Sequence, residues 1–179
     1  VRDESGRPTG YVAVFADITA TKQTEERLEH LAHHDPLTGL PNRLNLQQQI
    51  MQRVSENSSE ASLYLIVFKM LGFEHARSVL GSFLSEELIC EIAKRIEQSL
   101  ADSDLIDDRA RRLVGRISEV EFTLLIDHPP APGQIDRLSS EMLDILQQPY
   151  FIQDYEINLS SRVGIAIYPE HDEDGTTLI

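Results

Sequence analysis

The hydrophobic and polar positions fall into segments with different periods. Leu63 to Met70 (LYLIVFKM) is an almost unbroken apolar run, which predicts a central strand buried on both faces. Leu113 to Ile117 and Val120 to Ile126 alternate apolar with polar residues and meet at Ser118-Glu119, which predicts a β-hairpin with a two-residue tip. Tips of that length usually need positive φ and so favour glycine or asparagine. A serine and a glutamate there imply either a different turn or side chains filling space that a glycine pair would leave open. Helical spacing marks Arg43 to about Val54, a short stretch from Glu74 to Leu80, a longer one from Phe83 to Leu100, and Ile135 to Gln147. Tyr150 to Tyr155 and Glu156 to Ile167 read as strands, the second expected to be central. The order β-α-α-β-β-α-β predicts an α+β sandwich with helices flanking a mainly antiparallel sheet.

Ahead of this domain, DESGRPTG is a turn cluster and YVAVFAD a strand, and Thr19 or Asp17 can cap a helix running to His33. Leu28, Leu31 and Ala32 give that helix a short apolar stripe. The stripe suits a helix packed on its own domain and a parallel coiled-coil linker equally well. Asp35-Pro36-Leu37-Thr38-Gly39-Leu40-Pro41 then stops one helix and restarts another. His33 and His34 are adjacent at a helix end and do not share a face, so no metal site is read there.

Composition narrows the picture. A net charge of −14 excludes an extended nucleic-acid groove, which needs a basic face. The single cysteine, Cys90, lies in a helical pattern and reads as a small core residue in a reducing, cytoplasmic setting. No apolar run reaches the roughly 18 residues of a membrane span. The chain begins at Val1 without a leader pattern, and is expected to be a piece of a longer protein.

Three segments carry a resemblance. LVGRISEVEFTLLI resembles the signature hairpin of the GGDEF family, the diguanylate cyclase domains of bacterial cyclic-di-GMP signalling, which typically reads L-V-A-R-L-G-G-D-E-F-A-V-L-L. HHDPLTGLPNR, from His33 to Arg43, resembles the domain-entry sequence, and Ser160 to Ile179 resembles the strand and loop near the domain's end. The resemblance implies a nucleotide-cyclase-like sandwich over residues 35–179, truncated at its C-terminus. Residues 1–18 are similar to the last strand and exit of a PAS sensor domain, with a linker helix over 19–34.

The family's reaction joins two GTP molecules by phosphoryl transfer, which relies on positioning and on divalent metal held by carboxylate oxygens. At the matching positions this chain differs. Lys69 stands where the resemblance implies the metal-binding aspartate, Leu71 replaces a second aspartate, and Glu74 replaces a lysine near the phosphates. Arg77 and Glu86 match the guanine-contacting positions. The signature itself reads Ser118, Glu119, Val120, Glu121, Phe122. The R-x-x-D of the inhibitory site is matched by Arg109 to Arg112, with arginine in place of aspartate. The implied function is a catalytically inactive regulatory domain with no cofactor, Mg²⁺ and GTP being expected only with retained activity. It would transmit the state of an upstream PAS domain to a downstream EAL phosphodiesterase, with homodimerisation through the linker helix. The alternatives are a GTP- or cyclic-di-GMP-binding allosteric module without turnover and an active cyclase with unusual ligands. With the hairpin beside the first strand, Lys69 is expected to pair with Glu121 in place of a metal ion.

Overall fold

The computed structural model describes residues 19–56, 62–101, 103–106, 110–127 and 133–171. The expected PAS-like strand, Arg109 and the last eight residues lie outside them. Two compact units are distinguished, Val1–Leu31 and Ala32–Ile179. In the first, helix α1 (Thr19–His33, its last two residues belonging to the second unit) leaves Leu28 and Leu31 exposed.

The second unit is a three-layer sandwich. Its sheet has the order β2-β3-β1-β6, from β1 (Leu63–Leu71), β2 (Arg112–Arg116), β3 (Glu121–Asp127) and β6 (Ser160–Tyr168), and each neighbouring pair is antiparallel. β1 is apolar at nearly every position because both its faces are covered. Leu63 and Leu65 pack with Leu46 and Ile50 of α2 (Arg43–Glu56), while Ile66, Phe68 and Met70 join the larger core. That core is completed by α3 (Phe73–Ala101) and α4 (Gln134–Leu146) through Leu88, Ile92, Ile96, Leu138 and Met142. The two helical stretches expected on either side of Gly81 form α3, interrupted where Gly81 takes φ 74° and ψ 177°, a conformation open to glycine at little cost.

Two expectations are corrected. Residues 150–167 form a small hairpin, β4 (Tyr150–Ile152) with β5 (Tyr155–Ile157), followed by β6. Within the described sheet β6 is an edge strand, and its exposed Ser160, Arg162 and Gly164 alternate with half-buried neighbours, as a strand covered on one face should. The signature hairpin also opens earlier than expected. Its last ladder pair is Arg116 with Phe122, and Ile117 N–H donates to the Glu121 carbonyl at 3.0 Å. Widening the tip in this way lets residues 117–120 all keep negative φ, so no glycine is required.

Arg95 ties α3 to the chain after α4. It donates to the carbonyls of Gln148 (2.6 Å) and Pro149 (2.9 Å) and lies 3.7 Å from the centre of the Tyr150 ring. Burial pushes the Tyr150 phenol up to about 12, and its hydroxyl donates to the Leu146 carbonyl.

Candidate functional site: a signature hairpin and its entry turn

The entry turn is built almost entirely from its own polar groups. Asp35 Oδ1 accepts from the Thr38 amide (2.9 Å), the Thr38 hydroxyl (2.7 Å) and Arg116 Nη1 (2.8 Å). Burial raises the Asp35 carboxyl, but the Thr38 and Arg116 donors outweigh it and hold the pKa below the ordinary value of 3.8. Asn42 caps α2, its Oδ1 accepting from the Asn45 amide, while its Nδ2 donates to the Ala32 carbonyl. The Arg116 amide donates to the Pro41 carbonyl at 2.8 Å, which brings the turn against β2. Glycine at 115 eases this approach, since a Cβ there would lie 3.0 Å from both Pro41 O and Thr123 Oγ1.

The hairpin presents its chemistry beside that turn. Antiparallel register sets Lys69 opposite Glu121 on one side and Arg162 on the other. The Lys69 ammonium lies 2.8 Å from Glu121 Oε1, and Ser118 Oγ donates to Glu121 Oε2 at 3.0 Å. The lysine's hydrogen bond is the main reason the Glu121 carboxyl sits below its usual range. Both Glu121 oxygens therefore already accept from side chains, and the flanking strand positions carry cations. Among the described residues no group of three or more His, Cys, Asp or Glu side chains converges on a point. The side chains present do not fit a divalent ion at this place, because an ammonium donates hydrogen bonds and cannot ligate.

Glu119, at the tip, is ion-paired with Arg77, and its carbonyl accepts from Arg116 Nη2 at 3.0 Å. Arg77 also lies 5.0 Å from the centre of the Phe73 ring and 3.9 Å from Glu74. Arg77, Glu86, Arg116 and Glu119 line one cleft of about 300 Å³, floored by Phe73 and Ile89. The two residues expected at guanine-contacting positions are thus brought together, with Glu119 as a third member. Val120 is half-buried against the main core and Phe122 fully buried within it, so the first and last apolar members of the signature serve packing.

Of the inhibitory-site remnant, Arg112 lies among the described residues and is otherwise engaged. Arg112 Nη1 donates to the Leu100 carbonyl at 2.6 Å, completing the end of α3. Arg111 pairs with Glu56 (2.8 Å) and with the fully buried Asp127. Beneath them the buried Arg53 donates to the Arg111 carbonyl. Cys90 is half-buried, donates to the Leu37 carbonyl, and is pushed up by burial, which makes it a poor nucleophile. The linking role of Arg116 was not read from the sequence. An arginine at the hairpin end of β2, opposite the apolar Phe122, was the available signal.

Comparison with known proteins agrees with this architecture. The family model described as diguanylate cyclase, GGDEF domain, matches residues 32–179, and the chain belongs to that family. It is 30% identical over 152 residues to the bifunctional diguanylate cyclase/cyclic di-GMP phosphodiesterase MucR of Pseudomonas aeruginosa, covering 84% of this chain and 21% of that protein. It is 26% identical over 163 residues to the cyclic di-GMP phosphodiesterase PdeR of Escherichia coli, covering 91% and 23%. The chain therefore spans between a fifth and a quarter of the length of these two relatives. Among solved structures, a form of TpbB (YfiN) from Pseudomonas aeruginosa comprising only the GGDEF domain superposes with a TM-score of 0.68 at 27% identity, covering 82% of this chain and 81% of that one.

Proposed function

We propose that this GGDEF domain makes no cyclic di-GMP and acts as a regulatory module of a larger signalling protein. The observation that carries the reading is the Lys69 ammonium at 2.8 Å from Glu121, occupying with its own charge the place the family gives to a carboxylate and its ion. Phosphoryl transfer between two polyanions needs that countercharge at the transferring phosphate and not one already neutralised by a glutamate. In the parent protein the domain would lie between a PAS sensor and an EAL phosphodiesterase, in the cytoplasm, with α1 pairing across a homodimer through its exposed Leu28 and Leu31. MucR, named a bifunctional diguanylate cyclase/cyclic di-GMP phosphodiesterase, and PdeR, named a cyclic di-GMP phosphodiesterase, support a phosphodiesterase neighbour in the parent protein.

The test is pyrophosphate release from GTP and Mg²⁺, measured on this chain and on the parent protein. Neither is expected to exceed the background rate, and turnover that depends on Glu121 would reject the reading. The cleft beside Arg77 and Glu86 favours a second reading, nucleotide binding without turnover, which calorimetry with GTP would detect as saturable heat.

A further inference from the structure

The Arg77–Glu119 pair joins residues 42 positions apart, from the first turns of α3 and the hairpin tip, across the mouth of the cleft. Nothing in hairpin formation requires this. The tip closes through its own backbone, with Ile117 and Ser118 donating to the Glu121 carbonyl, and an exposed glutamate could point to solvent. Instead Glu119 is held at two points, its carboxylate by Arg77 and its carbonyl by Arg116. Arg116 is in turn fixed by Asp35, with its side chain only 10% exposed. A second feature of the same cleft concerns a donor left over. Arg116 Nε is buried and has no hydrogen-bond partner, although the side chain lines the cleft wall. A buried N–H without an acceptor is costly, and a water, an ion or a bound group at the cleft would supply the missing atom.

We infer that Glu119 is a built-in anionic occupant of the cleft, a latch that an incoming anionic ligand must displace from Arg77. The displaced arginine would grip the ligand's anionic group in the fork geometry suited to phosphate. Arg116 Nε would gain its acceptor, and the exposed Glu86 carboxylate on the opposite side would accept from a donor edge of the ligand. The ligand class is therefore a small polar molecule that joins an anionic group to an N–H edge. The Arg77 and Glu119 side chains are 37% and 50% exposed, so the latch is a weak, salt-screened contact that such a ligand can outcompete. This inference rests on the proposed non-catalytic reading only in treating the cleft as a binding site without turnover.

The test uses the 179-residue chain in EDTA, where no metal-dependent turnover is possible, with GMP as probe and guanosine as its neutral counterpart. Glu119→Gln is expected to bind GMP about two- to fivefold more tightly than the parent, the size an exposed ion pair sets. Guanosine affinity should not change, and adding Arg77→Gln should abolish the gain. Equal GMP affinity for parent and Glu119→Gln, a gain shared by guanosine, or no binding by Glu119→Gln would overturn the latch. Pyrophosphate release from Mg²⁺-GTP would overturn the non-catalytic reading while leaving the EDTA result to stand alone.

Discussion

The entry turn and the signature hairpin touch through Arg116, yet they relate to the family pattern in opposite ways. In the turn, Asp35, Thr38, Pro41, Asn42 and Gly39 all read as the family does, and Asp35, Thr38, Pro41 and Asn42 each supply a side chain or carbonyl that holds the backbone together. In the hairpin, the retained Phe122 is fully buried, whereas the altered Ser118 and Glu119 face solvent or the cleft. The turn keeps the pattern where side chains hold the backbone, whereas the hairpin departs from it at the exposed Ser118 and Glu119 and at Val120, which is half-buried against the core. Under the proposed reading, the family's fold is kept while the residues at the hairpin tip differ.

The largest expected effect sharpens that contrast within the hairpin itself. Phe122→Ala should cost about 3–5 kcal/mol in urea unfolding, because it empties a fully buried site between β1 and the helices. A cost below about 1 kcal/mol would mean that the retained phenylalanine is not there for packing. Next in size, Asp35→Asn should cost about 3 kcal/mol by leaving Arg116 largely buried without a countercharge. Because the folded Asp35 carboxyl is held below its unfolded value of 3.8, its contribution is full above that value and is lost as pH falls through the lower, folded one. The parent should therefore lose stability more steeply below about pH 4 than Asp35→Asn does. Parallel acid-unfolding curves would break the claim that the turn is held by an ionised carboxylate.

The smallest effect belongs to the altered position. Lys69→Ala should change stability by less than about 1 kcal/mol, since the Lys69 side chain is 53% exposed and its pair with Glu121 is partly screened. A loss of 2 kcal/mol or more, measured by the same unfolding experiment, would make Lys69 a structural residue like Asp35 and erase the difference between the regions.

Much of this was legible in the sequence for physical reasons. The unbroken apolar run of β1 reports burial on two faces, and the Leu88, Ile92 and Ile96 spacing reports the one buried face of α3. The Lys69–Glu121 approach followed from placing two strands side by side, because register alone sets those residues opposite each other. The hairpin tip was misjudged by its width, since alternation continues through Ile117 and Val120 although the ladder has already ended at Arg116 and Phe122. The edge position of β6 was hidden for a related reason: its apolar content comes from small and half-buried residues such as Val163 and Ala166, which central strands also use. The Arg77–Glu119 and Asp35–Arg116 pairs span 42 and 81 positions, and no local period encodes contacts of that kind.

Under the proposed reading, the Lys69 ammonium holds Glu121 where the family would carry a divalent ion. Thermal unfolding of the parent, Lys69→Asp and Glu121→Gln chains across millimolar Mg²⁺ tests it most directly. The parent melting temperature should be indifferent to Mg²⁺, with a saturable rise only in Lys69→Asp, where two carboxylates would face one another. A saturable rise in the parent that Glu121→Gln abolishes would contradict it.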